Sequence, residues 1–491
     1  VDIDVVENKK ENKDAEERPA NVTRYGREVR PPAWLMDKMG VAGIDAYKIG
    51  LTPAEERFYE QMRELNKLAL FAPNLPCTEE IEASMMGAAL GGGFSHTSKL
   101  KVMKYDEAMA TKDKPKWEKA VDAEHEKFAS YVVFKPEKVE DVPKDAKILS
   151  STWAMKKKTN GDLRARLNAR GFEQIDGLHY NEDDKAAPVV NDVTIRIVLI
   201  MIVLAAWWAE LLDVKGAFLN GRFQNGERLY MTVPQGFEKF YPPNVLLLLL
   251  RTIYGLKQAA VQYWREMVRA FKYMKYMRSK ADPCLYFCWI EGRLIVWITW
   301  VDDCLIAGDK DDVTKAKEQM MTLFDCDEIG EMKEYVGCKV EHDRNERSIK
   351  LTQPVMIQSF ADKFDLGEWE RNPTTPADPN TTLIKGEDRN LVCKDKQKMY
   401  RSGVGKLLHM MRWTRPDLLN AVRETSRFMS GAVEGHIEAL KRIMRYCVST
   451  AERGLVLKPK GMWDGTKDFL FTIEGISAVS YTHLTLPTNR E

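Results

Sequence analysis

Three aspartates stand where this chain otherwise keeps charge out. Asp302 and Asp303 sit side by side in ITWVDDCLIAG, residues 298–308, between two apolar runs. Asp213 closes another apolar stretch, ending Leu212-Asp213-Val214. Alone, an Asp-Asp pair reads as a solvated turn. The flanks argue otherwise, because a purely structural turn favours Gly or Asn, and here Trp300 and Val301 precede the acids while Cys304, Leu305 and Ile306 follow. If the two elements are neighbours in one sheet, the three carboxylates converge, repel and raise one another's pKa. Divalent cations remove that penalty: Mg2+ takes a few carboxylates together with water and phosphate oxygens. Two such ions stabilise both the attacking and the leaving oxygen in phosphoryl transfer.

The elements that must position these acids follow from periodicity. RLIVWITW (293–300) and CLIAG (304–308) predict a hairpin with the aspartates at its tip, and a helix over 193–207 leads into the strand that ends at Val214. VLLLLLRTIYGLKQAAVQYWREMVRAF predicts strand, turn and long helix, and RLYMTVPQGF (228–237) strand and turn. Upstream, Trp117, Val121, His125 and Phe128 recur at helical spacing. ILSSTWAMKKKTNGDLRARLNARGF reads as two extended runs about an Asn160-Gly161 turn. From 156 to 170 that hairpin holds six basic residues against one Asp, either a solvated face or an anion site. After about 345 the chain reads as mostly helical, with helices near 353, 400–412, 416–430 and 435–448. Helices and strands intermix without a βαβ rhythm, so the fold class is α+β.

Bulk properties bound the rest. The 491 residues suffice for two to four domains. A net charge of +1 says nothing about an anionic partner; only local clustering can. Eight scattered cysteines without a CxxC pair point to a reducing compartment, and the seven histidines complete no zinc pattern with them. The first residues, VDIDVVENKKENKDAEE, are too charged for a secretory signal, and the longest apolar run, Ile197 to Ala209, is too short to span a bilayer. We therefore expect no membrane partner. Residues 1–98 read as mostly disordered linker punctuated by RPP (30–32) and GGGF (91–94), and 479–491 as a non-native tail.

Several segments, in order, resemble the reverse transcriptase of copia-type (Pseudoviridae) retrotransposon Pol polyproteins. RARLNARGFEQIDGLHY, AAPVV and TIR resemble its finger region, LDVKGAFLNG its first catalytic motif, and LYMTVPQGFE the palm segment beyond. IYGLKQA, DPCLY, WVDDCLIAG and IGEMKEYVGCKV follow in the family's order. YRSGVGKLLHMMRWTRPDLLNAV, with KRIMRY and RGL, resembles the link from polymerase to RNase H. TRYGREVRPP resembles the basic linker after the integrase. The resemblance implies a right-hand polymerase: fingers and an antiparallel palm sheet over 99–345, a helical thumb or connection over 346–457, and the truncated start of an RNase H-like domain over 458–478. No RNase H activity is expected from this chain.

Residue by residue, the resemblance makes Asp213 and Asp302 the primary metal ligands and lets Asp303 complete the triad, with the Val214 carbonyl assisting. It implies two Mg2+ ions, with Mn2+ as a substitute. Trp300 stands where the family has Tyr and keeps an aromatic platform without its hydroxyl. Phe218, five residues past Asp213, takes the position of the ring that clashes with a ribose 2′-hydroxyl. Arg164 or Arg166, on a strand with Arg170 and opposite Lys156 to Lys158, would meet the triphosphate. Tyr254, Gly255 and Gln258 form a strand-to-helix turn, with Gly255 allowing close backbone approach and Gln258 able to touch template or base. Ala260-Val261 replaces the family's Pro-Arg. Between 401 and 446, nine Arg or Lys against four acids form either a solvated face or a track for an A-form hybrid.

The implied activity is RNA-directed DNA synthesis from deoxynucleoside triphosphates on an RNA template with a DNA primer. Implied partners are the RNA–DNA hybrid and the integrase, protease and RNase H parts of one polyprotein. The implied location is a cytoplasmic virus-like particle whose product passes to the nucleus. Two rivals stay open: a decayed element that only binds nucleic acid, and a palm-type phosphotransferase such as a nucleotide cyclase, which leaves IYGLKQA unexplained.

Overall fold

A computed structural model describes residues 102–466, apart from 158–160, 183–184, 225–226 and 369–370. The expected linker, the expected tail, TRYGREVRPP, Lys158 and Asn160 lie outside the described residues, as does the stretch from 467 onward.

Helices α1 (Tyr105–Met109) and α2 (Lys114–Ser130) come first. Helix α2 buries Trp117, Val121, Glu124 and Phe128, the expected stripe with an acid where the periodicity pointed to His125. Strands β1 (Phe134–Lys138) and β2 (Ile148–Leu149) follow. Next, β3 (Ser151–Lys157) and β4 (Leu163–Ala169) form the expected basic hairpin, with Lys156 opposite Arg164 and Ala154 opposite Arg166.

Helix α3 (Asp192–Leu204) is capped by the Asn191 side chain, which accepts the Val193 N–H at 2.9 Å. It leads into β5 (Trp208–Val214), then β6 (Tyr230–Met231), β7 (Val245–Leu249) and α4 (Ala259–Tyr273). Strands β8 (Met277–Arg278), β9 (Leu285–Ile290), β10 (Arg293–Trp300) and β11 (Asp303–Gly308) precede α5 (Lys310–Leu323) and β12 (Cys326–Glu331).

The central sheet has the order β12-β5-β11-β10-β9-β8, and all of its pairings are antiparallel. Its central strands β10 and β11 are largely apolar because both faces are covered, whereas the edge strand β12 is acidic and mostly exposed. On one face Leu211, Leu305 and Ile298 pack with Ile195, Leu199 and Ile202 of α3. On the other, Leu212, Ile306 and Trp297 pack with Met267 and Phe271 of α4 and Val313 and Met320 of α5. Trp297 is fully buried, with its ring 5.6 Å from that of Phe271. Truncating it to Ala costs about 3–5 kcal/mol.

Beyond β12 the expected helices form, and a small sheet that was not expected joins them. Strands β13 (Glu334–Tyr335), β14 (Cys338–Asp343) and β15 (Ser348–Thr352) form a sheet completed by β16 (Leu455–Leu457), far along the chain. Between β15 and β16 lie α6 (Pro354–Lys363), α7 (Lys394–Trp413), α8 (Leu419–Ser426) and α9 (Glu434–Ser449), packed around a core of their own that includes Phe360, Tyr400, Leu407 and Leu440. Arg415, almost wholly buried, is held in a bidentate pair by Asp417 at 2.9 and 2.8 Å. A bidentate Arg412–Asp192 pair ties α7 to the start of α3. After β16, Trp463 packs on Trp207 at 5.1 Å, so the chain returns to the central sheet. Among the described residues no helix is long and apolar enough to cross a membrane.

Candidate active site

The register of the central sheet brings the aspartates together. Asp213 on β5 stands opposite Asp303 on β11, and the Val214 N–H donates to the Asp302 carbonyl at 2.9 Å. Residues 214 and 302 are thus joined by the backbone bond. Asp213 and Asp303 form the neighbouring pair, in which cross-strand side chains come closest. Alternation along each strand puts both on the face that carries Leu211 and Leu305. Trp300, opposite Asp303, shares that face and packs on the same core. Val214 turns the other way and is buried.

Val301 and Asp302 make the two-residue turn between β10 and β11. Val301 has φ +55°, a strained setting for a β-branched residue. Backbone strain of this kind persists where surrounding structure over-determines it; here a backbone bond and two flanking strands hold Asp302 at the tip.

The electrostatics record the crowding. Burial, then Asp302 and Asp213, push the Asp303 carboxyl up to about 7. Burial, Asp302 and Asp327 raise Asp213, opposed by Arg164 and Lys127. Asp327 escaped the reading of the sequence. It lies on β12 opposite Asp213, and Lys215 binds it at 2.8 Å. Only its pairing partner reveals it; as one acid of FDCDEIG it has no distinguishing signal.

Around the acids stand aromatic and basic groups. The Arg166 guanidinium lies over the Tyr254 ring at 4.2 Å, and that ring meets Phe218 edge-on at 5.5 Å. Desolvation and the neighbouring Arg166 pull Arg164 below the ordinary guanidinium value, while Tyr254, Glu124 and Asp302 pull it back. Arg170 turns aside to Glu173 at 3.9 Å, and Lys157 to Asp113 at 3.5 Å.

Two expected residues have different surroundings from those the sequence suggested. Gly255, at φ +90°, lies against the strand β4: a Cβ there would stand 2.2 Å from the Ala169 carbonyl oxygen. The adjacent Ala169 N–H donates to the Tyr254 carbonyl at 2.8 Å. Gln258 is buried, accepting from Gln174 and donating to the His179 carbonyl, each at 2.8 Å. Its amide braces the loop carrying Gln174 and His179 against the start of α4. Ala260 and Val261 continue α4, with Val261 buried against Trp264.

Residues 134–378 match the family model described as reverse transcriptase (RNA-dependent DNA polymerase). The chain carries a copia-type reverse transcriptase domain. It is 33% identical over 324 residues to the retrovirus-related Pol polyprotein from transposon TNT 1-94 of Nicotiana tabacum, covering 64% of this chain and 24% of that one. It is 30% identical over 349 residues to that from transposon RE1 of Arabidopsis thaliana, covering 68% and 23%. A putative transposon Ty5-1 protein of Saccharomyces cerevisiae is 27% identical over 248 residues, covering 50% and 78%. The chain thus spans about a quarter of the two polyproteins it matches. A reverse transcriptase domain implies a polymerase fold with palm and fingers.

Among the described residues no three His, Cys, Asp or Glu side chains surround one point. Asp213 and Asp303 are instead two adjacent carboxylates beside a third at the turn. That donor set suits Mg2+, which is commonly held by one or two carboxylates while water and phosphate fill its other positions.

Proposed function

We propose that this chain extends a DNA primer on an RNA template with deoxynucleoside triphosphates, copying element RNA into DNA. The observation that supports this reading best is the Asp213–Asp303 register with Asp302 fixed at the adjoining turn. Asp213, Asp302 and Asp303 would hold two Mg2+ ions, with Mn2+ as a substitute. Bound there, divalent cations lower the pKa of the primer 3′-hydroxyl and offset charge on the departing pyrophosphate.

The residues do the positioning. Arg164 and Arg166 face the triphosphate, where guanidinium forks match its oxygens. Phe218 lies under the sugar, wedged against Tyr254, and leaves no room for a 2′-hydroxyl. Trp300 supports the primer end beside Asp303. The 3′-hydroxyl gives its proton to solvent, its oxygen bonds to the α-phosphorus, the bond to the bridging oxygen breaks, and pyrophosphate leaves.

Helices α6–α9 act as thumb or connection, and their exposed Arg and Lys residues run along the hybrid's phosphates. We place the chain within a polyprotein, in a cytoplasmic particle, next to its integrase, protease and RNase H parts.

Primer extension on an RNA template with purified protein tests the reading. Asp302→Asn removes synthesis and leaves hybrid binding within about twofold, since nonspecific affinity comes from phosphate contacts. Extension by the variant at the wild-type rate overturns it, and binding without extension by the wild type favours a decayed, binding-only element.

A further inference from the structure

Helix α2 lies outside every motif that identifies the polymerase, yet it reaches the site. Glu124 and Lys127 are three residues apart and so share a helix face. The buried Glu124 carboxylate accepts the Leu167 N–H of β4 at 3.2 Å, which pins the helix to the arginine strand. One turn on, the Lys127 stem lies across Gly216: a Cβ placed on Gly216 would stand 3.2 Å from Lys127 Cε. The Lys127 ammonium is 5.8 Å from the centre of the Tyr254 ring, the same ring that carries Arg166.

Its charge reaches Asp213 and Glu124, but no ion pair with a described carboxylate holds it. A cation with no carboxylate partner among the described residues, set beside an acidic pair and two arginines, is available to an outside anion. Gly216 lies between Asp213, the cation-binding acid, and Phe218, the ring assigned to the sugar. A group there faces the polyphosphate of a nucleotide rather than the primer strand, whose end belongs beside Trp300.

We propose that Lys127 binds the phosphates of the incoming nucleotide, adding an ammonium from α2 to the guanidinia of β4. This assignment rests on the polymerase reading above. Three cations offset most of the charge of a triphosphate tail, and an ammonium, unlike a guanidinium, imposes no planar geometry on its partner.

The test compares the full chain with Lys127→Met, which keeps the stem over Gly216, and Lys127→Arg, which keeps the charge. Primer extension is measured against deoxynucleotide concentration and, separately, against primer–template. Nucleotide-induced thermal stabilisation on a dideoxy-terminated primer gives a readout without turnover.

Lys127→Met raises the nucleotide KM about tenfold, the size of one lost charge-assisted contact. Its kcat and primer–template affinity stay within about threefold, its nucleotide-induced stabilisation shrinks, and Lys127→Arg recovers most of the loss. A wild-type nucleotide KM in Lys127→Met, or a loss confined to primer–template, overturns the assignment while leaving polymerase activity in place. Wild-type protein that neither extends primers nor responds to nucleotide overturns both.

Discussion

Asp213 and Asp303 face each other across adjacent antiparallel strands, beside the backbone bond from Val214 to Asp302. Adjacent strands lie about 4.8 Å apart, so two carboxylates in this register cannot both ionise without cost. The sheet accepts that cost at the end of two strands, β10 and β11, that are otherwise largely apolar. A fold that needed only stability would put a neutral residue in one of the two places.

The first prediction follows from linkage. Asp303 is pushed up to about 7 and Asp213 is raised above the usual carboxylate value. Between pH 4 and 7 the folded chain therefore holds protons that the unfolded chain has released. Carboxylate pKa values raised by folding make stability fall as pH rises through that window. Calorimetry on metal-free protein checks this: Asp303→Asn raises Tm by roughly a few degrees at pH 8 relative to wild type and by little at pH 4. Mg2+ stabilises the wild type and not the variant. A variant less stable than wild type at pH 8 contradicts the argument.

Sugar selection is the second. Phe218 is held by edge contacts to Tyr254 and Tyr263, at 5.5 and 6.5 Å, so its ring cannot swing away from an extra hydroxyl. Phe218→Val is expected to raise ribonucleotide incorporation relative to deoxynucleotide by on the order of a hundredfold, the range set by steric discrimination. Competing nucleotide pairs in a primer-extension assay measure the ratio, and an unchanged ratio removes the gate.

The third prediction concerns the close contact between the end of β4 and the turn before α4. Gly255 has φ +90° and backs onto the Ala169 carbonyl, while a Cβ on Gly171 would stand 2.1 Å from the Gly255 carbonyl oxygen. Gly255→Ala adds both backbone strain and a clash with main chain, for a cost of about 3 kcal/mol or more. Denaturant unfolding should show that loss, whereas Gly161→Ala, with open space around its Cβ position, loses only the strain of its φ of +89°.

Much of this was legible in the sequence, for a physical reason. RLIVWITW and CLIAG are apolar over their whole length because both sheet faces are covered, so the charged pair between them stood out. The β3–β4 hairpin was readable from two extended runs about its turn, and the strand ending in Asp213 from its apolar residues. Which aspartate faces Asp213 depends on register, and register depends on pairing between strands about ninety residues apart. The sheet formed by β15 and β16 was missed because its partners lie on either side of four helices. Lys127 was invisible because helical periodicity marks the buried face of α2, and Lys127 lies at its margin. Gln258 looked like a contact residue in IYGLKQA; only the fold shows its amide occupied by Gln174 and His179.

The central claim is that carboxylates from β5 and from the β10–β11 turn share divalent cations. Mn2+ titration followed by electron paramagnetic resonance, with primer–template and nucleotide present, tests it most directly. Asp213→Asn is predicted to weaken Mn2+ binding by at least about tenfold, with primer extension lost in parallel. Wild-type Mn2+ binding in that variant, together with undiminished extension, contradicts the account.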